Sequence, residues 1–208
     1  MRSGHLRGFV VLLLLVLVAA SCADAGERVA VLGDSITSWT PRPSSRTSAD
    51  YRLAISGNFG MTAEQAMGAA EDLATRSYGQ VIINLGTNDV LEGRPVDEAV
   101  KVIERQSEMF DSARCVHLVT VNEHMVDQRT GRSTSDAAAR FNDELRALVD
   151  SQDRLHLIDW NARAAEALDG GDPTTSTLTS DSIHPTPEGN QVLNGLYADA
   201  LADCDPLF

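Results

Sequence analysis

Five short runs of apolar, largely β-branched residues, each followed by a stretch of helical periodicity, constrain this chain more than any other feature. The runs are Val29-Ala30-Val31-Leu32, a weaker one over Tyr51–Ile55, then Val81–Leu85, Val116–Val121 and Leu155–Ile158. Near-continuous apolar runs of this length suit strands buried on both faces. The stretches between them carry legible helix ends. Thr62 and Gln65 have the spacing of a capping box ahead of Ala63, Ala66, Met67, Ala70, Leu73 and Ala74, which share one helical face. Pro95 stands where a first-turn proline would, before Val96, Ala99, Val100 and Ile103. A third helix carries Ala138, Phe141, Leu145 and Leu148, and a last one begins near Pro187 with Val192, Leu193, Leu196 and Ala200 on one side. This alternation predicts one doubly wound α/β/α domain around a five-stranded parallel sheet.

At 208 residues and 43% apolar content, the chain can bury one sizeable core but not two. Its 30 Asp+Glu against 17 Lys+Arg give a net charge of −13. A surface that acidic repels polyanions, so no nucleic-acid partner is expected. The first 25 residues read as a secretory signal: Arg2, His5 and Arg7 precede an unbroken apolar run from Phe9 to Ala20 and a small-residue exit. That run falls short of the roughly 20 residues a bilayer span needs. Two exits are open. Ala23-Asp24-Ala25 is an A-x-A-like cleavage site that would free the chain, whereas Ala19-Ala20-Ser21-Cys22 resembles a bacterial lipobox. Cleavage at the latter would leave Cys22 for lipid attachment, a membrane tether. Either way the expected location is extracytoplasmic, secreted or attached to the cell envelope, with residues 26–208 as the folded domain.

In open parallel sheets, ligands bind outside the carboxyl ends of the strands. The residues just past each run are therefore the place to look for chemistry. Gly33-Asp34-Ser35 comes after the first run and Gly57-Asn58-Phe59-Gly60 after the second, while Gly86-Thr87-Asn88-Asp89 comes after the third. Asn122-Glu123-His124 and Asp159-Trp160-Asn161 succeed the fourth and fifth, and Asp181-Ser182-Ile183-His184-Pro185 precedes the last helix. Singly these are ordinary signals: a serine after a strand is commonly a helix N-cap, and Gly-Thr-Asn-Asp is a serviceable turn. Two further stretches, Pro41–Ser48 and Asp169–Asp181, lack helical period and read as loops flanking this edge. His117 and His156 lie inside strand runs and read as core or sheet-face residues.

Taken in order, GDS, G-x-x-G-x-T, GTND and D-x-x-H resemble the SGNH hydrolases, the GDSL family of esterases and lipases, from about Val29 to the last helix. The G-x-S-x-G elbow of α/β-hydrolases is absent. The resemblance implies a flavodoxin-like sheet and a serine esterase acting on carboxylic ester or thioester bonds, with water as acyl acceptor and no metal or cofactor. It implies Ser35 as nucleophile, His184 as general base and Asp181 as the group that orients the imidazole. The oxyanion hole would be the Ser35 N–H, a glycine N–H and the Asn88 side chain. Gly60, before Met61-Thr62, fits the glycine position better than Gly57. Asp34 and Asp89 suit loop-bracing roles. Trp39, Asn122 and His124 are candidates for the substrate rim.

Once Cys22 is removed or lipidated, Cys115 and Cys204 are left. The topology puts the start of the fourth strand and the end of the last helix at the non-catalytic end of the sheet. That shared end favours a disulfide of an exported protein over a pair of buried thiols. There is no C-x-x-C pair or zinc-like spacing. Partners implied are an ester-bearing small molecule, a lipid or an acetylated glycan. Val119-Thr120-Val121-Asn122 and Ile158-Asp159-Trp160 look like segments of envelope O-acetyltransferase SGNH domains, so an O-acetyl esterase or O-acetyltransferase acting on envelope carbohydrate is an alternative. A non-catalytic envelope-binding domain is a third reading, disfavoured by the intact Ser35, Asn88, Asp181 and His184.

Overall fold

The computed structural model describes residues 26–39, 51–168 and 176–204. Residues 1–25, read above as a signal with Cys22, residues 41–48, and residues 169–175 of the second stretch read as a loop lie outside the described residues. Five parallel strands form the sheet: β1 (Glu27–Gly33), β2 (Tyr51–Gly57), β3 (Gln80–Asn84), β4 (Cys115–Val119) and β7 (Leu155–Ile158), in the order β2-β1-β3-β4-β7. A two-stranded antiparallel ribbon, β5 (Val126–Asp127) with β6 (Arg132–Ser133), follows β4. The helices are α1 (Ser35–Trp39), α2 (Met67–Ala74), α3 (Thr87–Leu91), α4 (Val96–Glu108), α5 (Ser135–Asp150), α6 (Trp160–Glu166) and α7 (Pro187–Asp203).

The period of two along each strand divides the core into two layers. Ala30, Leu32, Val81, Ile83, Val116 and Leu118 face one way, into a cluster completed by Ala70 of α2, Ile103 of α4 and Phe141 and Leu145 of α5. Val29, Val31, Ile82, Val119 and Ile158 face the other way, onto Leu193, Tyr197 and Leu201 of α7. Both faces of the sheet are covered, which is why its strands read as continuous apolar runs rather than as alternating ones.

The predicted strands all occur, the fifth with the expected ends and the other four with ends shifted by up to two residues. The fourth stops at Val119, not Val121. Beyond it, buried Asn142 of α5 takes over the pairing: its Oδ1 accepts the Val121 N–H at 2.9 Å and its Nδ2 donates to the Val121 carbonyl at 2.8 Å. A side-chain amide there substitutes for a neighbouring strand. The Thr62–Gln65 capping box forms reciprocally, but over a 3₁₀ turn (Glu64–Ala66) that precedes α2. Pro95 sits one residue before α4 rather than in its first turn. The last helix begins at Pro187, capped by the Thr186 hydroxyl accepting from Gly189 N–H at 3.0 Å.

Cys115 and Cys204 form a disulfide, with Cα atoms 6.2 Å apart and a sequence separation of 89. It ties the end of α7 to the start of β4, at the end of the sheet opposite Ser35. His117, on the same side of β4, is buried and hydrogen-bonded to Gln80 Oε1 through Nε2 at 2.9 Å. Burial, helped by neighbouring His156, depresses its pKa to about 4, so it is a neutral core residue.

Candidate active site

The carboxyl ends of β1, β2 and β3, together with the D-x-x-H segment, converge on one edge. Ser35 opens α1 directly after β1 and is only 6% exposed. The turn before it is fixed by Asp34, which is fully buried and whose Oδ1 accepts the Ile36 N–H at 2.9 Å. Gly33 is required at the end of β1 because an added Cβ would lie 1.9 Å from Thr37 Oγ1.

Ser35 Oγ lies 2.9 Å from His184 Nε2, and His184 Nδ1 lies 2.8 Å from Asp181 Oδ2. An ionised carboxylate only accepts, so it fixes the ring proton on Nδ1 and leaves Nε2 as acceptor for the serine hydroxyl. The hydrogen bond to Asp181 raises the His184 pKa against partial burial. For Asp181, burial pushes upward, but the bonds from the His184 ring and from the His184 and Ile183 N–H groups hold the carboxyl below its usual range. Those backbone bonds, 2.7 and 3.0 Å to Oδ1, explain the three-residue spacing: one carboxylate grips both the imidazole and its own backbone.

The segment is held at its base by the Thr179–Pro185 bridge. Within it Ser182 is buried with φ 65°, a left-handed conformation unfavourable for a residue with a Cβ. Three bonds pin it there. Ser182 Oγ accepts the Val126 N–H at 3.0 Å, its carbonyl accepts Asn122 Nδ2 at 2.8 Å, and Gln128 Nε2 donates to the Asp181 carbonyl at 2.9 Å. The β5–β6 ribbon thus braces the turn that carries His184.

Asn88 lies in the first turn of α3, after Gly86 at φ 111°. Only glycine fits at 86, since an added Cβ would lie 2.1 Å from the Phe141 ring. Asn88 Nδ2 donates to Asp34 Oδ2 at 3.1 Å and to the Met61 carbonyl at 3.0 Å. These bonds bring the segment after β2 beside the turn that carries Ser35. Asp89 reinforces the junction, its buried Oδ2 accepting the Ala63 N–H at 2.9 Å. Burial pushes the Asp34 carboxyl up to about 7 and raises that of Asp89. Gly60 is exposed at φ 68°, next to Met61, whereas Gly57 is the last residue of β2 and packs against Asp34, Thr37 and Ser38.

The rim candidates separate. Asn122 is buried, with its amide engaged by Ser182 and by the His124 N–H at 2.9 Å, so it is a strut of the site rather than an open wall. His124 is half-buried beside it. Trp39 lies against His184, ring centroids 4.8 Å apart, and against Phe59 at 5.4 Å. Sequence reasoning did not single out Ser182, Gln128 or Phe59. Ser182 carried a signal in its place inside D-x-x-H, while Gln128 carried none.

A serine, histidine and aspartate in one hydrogen-bonded line, at the carboxyl edge of a doubly wound parallel sheet, define the class of SGNH-type hydrolase folds. The sequence matches the GDSL-like lipase/acylhydrolase family over residues 31–192, and the chain belongs to that family. No curated protein matches it. Among solved structures it resembles a GDSL-like lipase from Bacteroides thetaiotaomicron, with 21% identity and a TM-score of 0.74 over 91% of this chain and 96% of that one. A lipase/acylhydrolase from Enterococcus faecalis is 19% identical, TM-score 0.66, over 84% and 95% of the two chains. The acetyl xylan esterase AlAXEase is 20% identical, TM-score 0.68, over 84% and 99%.

Proposed function

We propose that the protein is an exported serine esterase that hydrolyses carboxylic esters through an acyl-enzyme. The observation that carries this reading is the line Ser35 Oγ–His184 Nε2 and His184 Nδ1–Asp181 Oδ2, 2.9 and 2.8 Å. Ser35 attacks the ester carbonyl while His184 takes its proton, and Asp181 stabilises the imidazolium that results. His184 then protonates the departing alcohol. Water attacks the acyl-enzyme with His184 again as base, releasing the acid and Ser35. The tetrahedral oxyanion is received by the Ser35 and Gly60 N–H groups and by Asn88 Nδ2. Export is supported by the basic, apolar, small-residue order of the first 25 residues and agrees with the disulfide.

The test is hydrolysis of p-nitrophenyl esters from acetate to palmitate by residues 26–208, alongside Ser35→Ala. Activity lost in the variant, together with wild-type labelling by a fluorophosphonate, supports the reading. A folded wild-type protein that neither turns over any ester nor takes the label refutes it.

A further inference from the structure

Among the described residues three large apolar side chains are exposed: Trp39 at 55%, Ile55 at 45% and Phe59 at 63%. Two of them, Trp39 and Phe59, are in contact with each other, and Trp39 also touches His184. Ile55 is on β2, Phe59 is in the turn after it, and Trp39 ends α1, which packs on β2. On a chain of net charge −13, a patch of this kind beside a reactive histidine marks a binding surface.

Its position selects the half of the substrate that would lie there. In the serine esterase reading, on which this inference rests, the acyl carbon is bonded to Ser35 and its oxygen points to Gly60 and Asn88. The departing alcohol stays next to His184, which protonates it. Trp39 packs against His184, 4.8 Å between ring centroids, and Phe59 packs edge-on against Trp39 at 5.4 Å. We propose that Trp39 and Phe59 form the subsite for the alcohol, and that this alcohol is a neutral sugar ring.

The shape and charge of the patch favour this occupant. A hydrocarbon chain gains binding energy by leaving water, which calls for an enclosed channel. Rings more than half exposed make an open shelf instead, suited to the flat C–H face of a pyranose whose hydroxyls remain in water. The acidic surface disfavours a phosphate-bearing headgroup.

The experiment compares two esters of the same acid, an acetylated neutral xylo-oligosaccharide and ethyl acetate, whose alcohol carries no ring to stack on Trp39 or Phe59. Trp39→Ala is expected to lower kcat/KM for the glycan roughly tenfold more than for ethyl acetate, chiefly through KM. Trp39→Phe should recover most of that difference, and Phe59→Ala should raise KM for the glycan. Equal losses on both esters would overturn the proposal and leave Trp39 as packing for His184. Preference for dihexanoyl phosphatidylcholine, abolished by Trp39→Ala, would also overturn it, with a lipid as the occupant. Binding is read separately in Ser35→Ala, where the other tryptophan, Trp160, is buried. The glycan should give a saturable blue shift of tryptophan emission, lost with Trp39→Phe. That shift without turnover of either ester by the wild type would refute the esterase reading and retain the subsite. Turnover of ethyl acetate with no shift and no glycan selectivity would do the reverse.

Discussion

Asn88 offers the sharpest quantitative test of the site, because its amide already has work in the resting structure. Both hydrogens of Nδ2 are engaged, one with Asp34 Oδ2 at 3.1 Å and one with the Met61 carbonyl at 3.0 Å. To stabilise an oxyanion the amide must share or release one of them. Removing an oxyanion donor ordinarily costs about 2.7–4 kcal/mol of transition-state stabilisation. A neutral intramolecular hydrogen bond contributes about 1 kcal/mol net, so the gain on reaching the transition state is about 2–3 kcal/mol. Asn88→Ala should therefore lower kcat roughly 30- to 150-fold, with KM little changed. The assay is p-nitrophenyl acetate turnover at a pH where His184 is neutral, with circular dichroism to verify the fold. A loss below about fivefold would refute the reasoning and leave the amide as a tie between the segments after β1 and β2. A larger KM with unchanged kcat would refute it too, since that is the mark of ground-state binding.

The general-base role proposed for His184 sets the expected pH profile. Its pKa is raised above the ordinary 6.5 by Asp181, so kcat/KM should be low in acid and rise with pH through a midpoint above 6.5. Asp181→Asn should move that midpoint toward acid and lower kcat by about 10⁴. Losing the Cys115–Cys204 bridge by Cys204→Ser, which frees a loop of 89 residues, should cost about 4–5 kcal/mol on a urea denaturation curve. Activity per folded molecule should survive, because the bridge lies at the opposite end of the sheet. Asn122→Ala leaves the Ser182 carbonyl and the His124 N–H without their partner. It should lower stability by about 1–3 kcal/mol and slow turnover of p-nitrophenyl acetate as the His184 turn loosens. Gly86→Ala drives a Cβ into Phe141 at a positive φ, and thermal melting should show one of the largest losses of any single substitution here.

The sheet was legible because its two faces are both covered. Burial on both sides turns each strand into a continuous apolar run, and Val29 to Leu32 advertise themselves without any knowledge of their neighbours. The positions of Ser35, Asn88 and His184 were legible for a related reason, since strand ends in such a sheet fall on one edge. The disulfide agreed with the same topology. What escaped was pairing between distant polar groups. That the fourth strand would stop at Val119 depended on Asn142, whose amide imitates a strand edge from a helix 21 residues on. The short ribbon around Val126 and Ser133 has no apolar period, and its place is fixed by the Ser182 hydroxyl. Asn122 read as rim because it comes after a strand, but the local loop geometry turned its amide inward.

The two ends of the molecule are stabilised by different means, and this bears on how the site can vary. Opposite Ser35, a covalent bridge and the buried Gln80–His117 pair fasten β4 to α7 and β3. The edge that carries Ser35 is held differently. Three segments meet there through single side chains: Asp34 joins Asn88, Asn88 joins Met61, and Asp89 joins Ala63. Each bond runs from a short polar residue to a backbone or side chain of the next segment, so the junction of these segments is set without using the outer surface of those loops. Trp39 and Phe59 therefore project from a frame already fixed beneath them. Exchange of these two rings should redirect which alcohol the site accepts while leaving the line from Ser35 to Asp181 in place.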